Sequence, residues 1–458
     1  MNKDTRNILI TVSIILLVAC VCIGVVAAVG TGFFMLKPQT PVVPTATVTL
    51  PTPVPTLTFK SGLSPDVAAQ MDLIQSQVIS LRKLEPVSAV PRTLLSTEQL
   101  RENVINDFLS EYTSEDAAKD ARVLSILGLL PEDFDLLHFY TELYSEQIAG
   151  YYDDEAQAMY VVQGEAFAGD EKMTYAHEYV HVLQDQTYDF DGALGYTEEA
   201  CNEDSERCAA IQSLIEGDAT VTEMKWFQRY ATQQDYDDII AFYDSYQSPV
   251  YDSAPHYMQE DFTFAYVKGQ AFVEYLIDQG GEEAVDAAYL NVPLSTEQIL
   301  HPEKYPDDKP VSVDLADLTQ TLGEGWEEQD RNVMGEWYTY LILAHGYAES
   351  TRLDDAAALK ASAGWGGDTY LVYHNPGTDK YVFLMRSAWD SMKDVDEYYQ
   401  ALLQYAALRW GNGTEDDLGS QVWQADGASI AIYQEADQVT WIIAPDDATY
   451  RLIKSNLP

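Results

Sequence analysis

The chain has 458 residues, 47% hydrophobic and 12% aromatic, which is enough apolar surface for two or three packed domains and too much for a disordered polymer. Its 26 Lys and Arg stand against 74 Asp and Glu, and the resulting formal charge of −48 repels a phosphate backbone and argues against nucleic acid as a partner. An acidic balance of this kind describes a solvated, self-repelling surface and by itself names no substrate.

From Ile8 to Leu36 the chain carries no charge, a run longer than the roughly 20 residues that cross a hydrocarbon core. A transmembrane helix is therefore expected in segment 1–37. Lys3 and Arg6 precede the run and no basic residue follows Lys37 until Lys60, so the charge bias places a short amino terminus in the cytoplasm and the main body outside. A rival reading takes Leu17-Val18-Ala19-Cys20 as a lipoprotein cleavage box with Cys20 lipidated. Both readings make the membrane a partner. Residues 38–60 alternate Pro and Thr without a core-forming period and read as an extended linker.

The body, 61–354, opens on Ser64-Pro65-Asp66, a cap followed by a first turn, and the apolar spacing from Val67 to Leu84 predicts a helix. Further helices are predicted near 96–111, 115–127 and 132–148. Tyr151-Tyr152-Asp153-Asp154 then breaks the helical period and Ala158–Gln163 (AMYVVQ) is rich in β-formers, so 149–163 reads as a hairpin. Helices are predicted again at 209–233, 266–279, 281–290 and 335–347. Cys201 and Cys208 bracket a polar stretch at a spacing that one disulfide closes. After residue 355 the texture changes. Strands Tyr370–Tyr373 and Tyr381–Trp389, split by Asn375-Pro376-Gly377, form a hairpin, followed by a helix near 393–409, strands at 421–425, 429–434 and 439–444, and a last short helix. The expected fold class is α+β: a helix-rich body with one small sheet, then a small α+β domain, 355–458.

The chemistry concentrates in Thr174-Tyr175-Ala176-His177-Glu178-Tyr179-Val180-His181. On a helix, residues four apart share a face, so His177 and His181 can hold one Zn2+ while Glu178 reaches water beside it. A catalytic zinc needs a third protein ligand and an open fourth position. Glu216, within Ser213-Leu214-Ile215-Glu216-Gly217-Asp218, is the first choice, with Asp218, Asp185 and Glu199 as alternatives. The metzincin continuation is absent, since Gln184 and Thr187 stand where it has Gly and His.

On these residues the segment from about Tyr144 to Tyr230 resembles the core of a gluzincin metallopeptidase of the thermolysin-like superfamily. The resemblance implies zinc held by His177, His181 and Glu216, Glu178 as general base, and an edge strand before the zinc helix that pairs with a bound peptide, a role the 149–163 hairpin matches in order. It also implies a His or Tyr from a later segment at the oxyanion, for which Ser295–Tyr305 offers His301 and Tyr305. A capping role for Ser295 and Gln298 is the structural alternative for that patch. One position departs from the family pattern: Thr220 stands where many members carry an Asp that orients a histidine, and Asp218 lies two residues short of it. The implied function is a membrane-anchored, extracytoplasmic zinc peptidase acting on a peptide or protein substrate. The competing function is a catalytically inactive, metallopeptidase-like adhesion or scaffold protein. His138, His256, His345 and His374 read as isolated packing or surface residues, and the oligomeric state is not legible.

Overall fold

A computed structural model describes residues 63–457, apart from 111, 164–166 and 426. The α+β class is found: a helical body with a three-stranded sheet precedes a seven-stranded antiparallel sheet. Among the described residues no helix is long and apolar enough to cross a membrane. The single-pass membrane placement read from the sequence is therefore corrected. The 8–36 run, Cys20 and the Pro/Thr linker on which it rested lie outside the described residues, and the placement has no support within them.

Helix α1 (Pro65–Arg82) starts as its sequence dictates: Ser64 Oγ accepts the Val67 N–H, and Pro65 and Asp66 occupy the first turn. Met71, Ile74, Val78 and Arg82 form its buried stripe. Strand β1 (Arg92–Leu95) follows, then α2 (Thr97–Asn103), α3 (Ser114–Ile126) and α4 (Leu136–Gln147). The expected hairpin is present as β2 (Gly150–Asp153) and β3 (Ala158–Val162). β1 was not foreseen; it joins β3 in parallel, which leaves β2 at the edge of the sheet in the order β1-β3-β2.

Helix α5 (Gly169–Tyr188) packs against β2 and β3, and the disulfide Cys201–Cys208 links α6 (Glu198–Glu203) to α7 (Ser205–Tyr230). α8 (Gln233–Ser245) lies on α5, and α9 (His256–Gly280) crosses α7. The crossing is close because two glycines meet: a Cβ on Gly217 would sit 2.2 Å from the Gly269 carbonyl, and one on Gly269 would sit 2.1 Å from the Ser213 oxygen. α10 (Glu282–Leu290) and α11 (Thr296–Leu300) complete the body.

The second sheet begins with β4 (Glu327–Asn332), followed by α12 (Gly335–Ala344), α13 (Asp355–Ser362), β5 (Trp365–Asn375), β6 (Lys380–Trp389), α14 (Met392–Trp410), β7 (Thr414–Glu415), β8 (Gln421–Ala425), β9 (Ala428–Glu435), β10 (Gln438–Ala444) and α15 (Asp447–Asn456). Its order is β4-β5-β6-β10-β9-β8-β7. Alternate residues serve opposite faces: Leu371, Tyr373, Leu384 and Ile442 pack with Tyr450 and Ile453 of α15, while Tyr370, Val372, Phe383 and Trp441 join the main core with Tyr398, Leu402 and Tyr405 of α14. β4 comes from before residue 355, so the sheet and the change in sequence texture do not coincide.

Candidate metal centre

Helix α5 is buried on every side from Met173 to Gln184, and α7 is buried without interruption from Ala210 to Ala219. Polar groups on such helices must be satisfied by each other. His177 and His181, one turn apart, put their rings 4.8 Å apart and nearly perpendicular. Both face Glu216 on α7, whose Oε2 lies 3.1 Å from His177 Nε2 and 3.5 Å from His181 Nε2. The three donor atoms fall within 4.8 Å of one another, close enough to hold one metal ion.

The far side of each imidazole fixes its role. Gln184 Nε2 donates to the Ile215 carbonyl and to Asp218 Oδ2, both at 3.0 Å, so its Oε1 must face His181 Nδ1 at 2.8 Å as an acceptor. His181 therefore carries its proton on Nδ1 and turns a bare Nε2 lone pair toward Glu216. On the other ring, Glu223 Oε2 lies 3.0 Å from His177 Nδ1. His181 Nε2 and Glu216 Oε1 are buried and have no hydrogen-bond partner. These two unpartnered buried lone pairs, beside a His177 Nε2 at hydrogen-bond distance from Glu216 Oε2, are what a cation placed between the three groups would satisfy.

Electrostatics follow from this packing. Burial opposes a charge on His177, but the hydrogen bonds to Glu216 and Glu223 outweigh it and hold its pKa well above the ordinary imidazole value. Burial likewise raises Glu216, but His181 and His177 overcome it and bring the carboxyl down to about 2. Glu178, 2% exposed, is pushed up to about 7 by burial, with the two histidines working against it. Its carboxylate accepts the Tyr152 N–H, and its Oε2 has no partner. Ala149 pairs with Val162 on β3, so by the antiparallel alternation the Gly150 and Tyr152 main-chain groups face the open edge of β2. Gly150 permits this approach, since a Cβ there would lie 2.8 Å from Thr174 Cγ2. A cavity of about 280 Å³ opens one turn before Glu178, lined by Ala149, Thr174, Ile239, Phe242 and Tyr246.

The structure brings His177, Glu178, His181 and Glu216 together. It does not bring His301 or Tyr305 to them: His301 Nε2 is 2.9 Å from Glu336 Oε1, and the Tyr305 hydroxyl donates to the Asn291 carbonyl at 2.7 Å with its ring edge-on to Phe272. Their loop is pinned elsewhere. Ser295 caps α11, the Thr296 amide and hydroxyl donate to the buried Glu206, and Lys304 pairs with Glu297 and Asp390. Gln298 departs from a capping box, reaching past the cap to the Leu294 N–H. Of the alternative ligands, Asp185 accepts the Tyr152 hydroxyl, and Glu199 is an exposed residue of α6. Asp218 acts one layer out: it accepts from Gln184, from Arg82 Nε at 2.7 Å and from the Tyr289 hydroxyl. Sequence reasoning missed Glu223 and Gln184. It also missed Tyr266 of α9, whose ring centroid lies 6.2 Å from that of His177.

Residues 320–454 match a family model described as a domain of unknown function, DUF8575. The match covers the seven-stranded sheet and none of the metal-centre residues. No curated protein and no solved structure matches the chain.

Proposed function

We propose that the chain is a zinc-dependent peptidase of the gluzincin kind. The observation that carries the reading is the meeting of two buried imidazole Nε2 atoms with one buried carboxylate, each oriented from behind, next to a carboxylate poised near neutrality. Two nitrogen donors and one oxygen donor suit zinc with an open vertex. His177, His181 and Glu216 would hold the ion, and when bound it supplies Lewis acidity toward an acyl oxygen and toward water.

The rest falls to the chain's own groups. The edge of β2 that no strand pairs with, buried at Gly150 and Tyr152, would take an extended peptide by main-chain hydrogen bonds once uncovered, while the neighbouring cavity, lined by Ile239 and Phe242 together with Glu146, Asp170 and Glu171, would accommodate a side chain. Glu178 removes the proton of the attacking water and returns it to the leaving amine. A carboxyl brought up to about 7 is matched to both steps. Burial of the site keeps bulk water from competing.

The test is Glu178→Gln. The variant should bind zinc as the wild type does and lose roughly 10²–10⁴-fold in hydrolysis of an unfolded protein such as casein, and a chelator should silence the wild type. A fully active Glu178→Gln chain, or a wild type that binds zinc and cleaves nothing, overturns the proposal.

A further inference from the structure

His256 and His345 are 89 residues apart and have no neighbouring motif, yet the fold places their rings 4.6 Å apart and stacked, with the two Nδ1 atoms 2.5 Å apart. His256 opens α9 and is half-buried, Glu260 lies one turn on along the same face, and His345 caps the end of α12 and is 3% exposed. The expectation that these histidines are isolated is thereby corrected. Nitrogen, nitrogen and carboxylate oxygen all lie within 4.8 Å of one another.

His345 Nε2 is held by the Tyr340 hydroxyl at 2.7 Å, and that bond fixes the ring and leaves Nδ1 as the atom aimed at His256. Two facing imidazole nitrogens repel unless a proton or a cation lies between them. Tetrahedral bonds of about 2.0–2.1 Å set donors roughly 3.4 Å apart, so a small opening of the stacked pair seats an ion. Asp355 lies 3.8 Å from the Nε2 side of His345 and adds negative potential without reaching the donor atoms, while the Arg352 guanidinium donates to the Gly346 carbonyl.

We infer that His256, Glu260 and His345 form a second metal site, for a divalent transition cation of the zinc class, which fastens the first turn of α9 to the end of α12. Two imidazoles and one carboxylate select such a cation over calcium or magnesium. The site shares no ligand with His177, His181 and Glu216. It joins the helix that carries Tyr266, beside the first centre, to the segment that leads into the seven-stranded sheet.

The experiment counts zinc on the full chain after dialysis against Zn2+, using elemental mass spectrometry, in the wild type, Glu216→Gln, His256→Gln, His345→Gln and the Glu216→Gln/His256→Gln pair. Two zinc ions per wild-type chain, one in each single variant and none in the pair are expected. If the first centre binds nothing, the wild type holds one zinc and His256→Gln holds none, so the two sites fail separately. His256 is half-buried at a helix start, so its Gln variant keeps the inference testable if His345→Gln does not fold. In the Glu216→Gln background Zn2+ should raise Tm, and Tyr340→Phe should weaken zinc binding about 10–100-fold. Unchanged zinc content in His256→Gln and His345→Gln overturns the inference and leaves a proton shared between two imidazoles.

Discussion

Glu223→Gln is the sharpest perturbation of the candidate centre because it removes a charge without removing volume. Glu223 stands seven residues after Glu216, two turns along the same face of α7, with Oε2 3.0 Å from His177 Nδ1. A hydrogen bond to a charged group is worth about 1.5–3 kcal/mol and a neutral one about 0.5–1.5. The isosteric amide can still accept, so the loss is the difference, about 1–1.5 kcal/mol, or roughly tenfold in zinc affinity at 1.4 kcal/mol per decade. Glu223→Ala removes the acceptor altogether and leaves Nδ1–H buried and unsatisfied, which takes the loss toward about 100-fold. Competition with a fluorescent chelator measures both. Adding Thr220→Asp to Glu223→Ala should recover little, because Thr220 occupies the position named by the family pattern, not the one Glu223 fills. If both Glu223 variants bind zinc within twofold of the wild type, or if Thr220→Asp restores the affinity, the orienting role is refuted.

Gly217→Ala should destabilise the chain by about 1–3 kcal/mol or more, because its methyl would overlap the Gly269 carbonyl, 2.2 Å away; a urea midpoint equal to that of the wild type would contradict the close helix crossing. Arg82→Met should cost about 3–5 kcal/mol by stranding the buried Asp218 carboxylate. Urea unfolding reads that loss, and a neutral result would mean that Gln184 and Tyr289 suffice. Burial lifts Asp330 to about 6, above an unfolded value of about 3.9. A folded pKa raised in this way contributes stability that is complete below about pH 4 and is lost as pH rises through 6. Tm should therefore fall as pH rises from about 4 to 6, and Asp330→Asn should flatten that fall by up to roughly 3 kcal/mol; an unaltered slope would exclude Asp330 as its source.

Much of the secondary structure was legible because the signals are local. Ser64-Pro65-Asp66 starts α1, the 149–163 hairpin and the strands after 420 lie within a residue or two of their predicted places, and Asn375-Pro376-Gly377 separates β5 from β6. The missed strands lack such signals. β1 is four residues long and finds its parallel partner 67 positions away (Arg92 with Met159), where no turn residue announces the pairing. β4, Glu327–Asn332, is polar throughout and lies at a sheet edge, so it shows no apolar alternation.

The difference between the candidate sites lies in how far apart their donors are along the chain. Two of the first centre's three donors lie four residues apart on α5 with Glu178 between them, a spacing that carries chemical meaning before any fold is known. For the third the sequence offered Glu216 on a later helix, with Asp218, Asp185 and Glu199 as alternatives, and Leu214 and Ile215 beside Glu216 pointed to its burial. Glu223 follows the same helical logic, two turns on, and a search along the face of Glu216 would have found it where the search at position 220 did not. His256 and Glu260 are also four residues apart, but that pair on a helix says nothing until His345 arrives from the end of α12. His301 and Tyr305 show the converse. Their residue types suited an oxyanion, but Glu206, Glu336 and the Asn291 carbonyl hold the loop elsewhere, and those partners are set by packing between segments that no local pattern encodes.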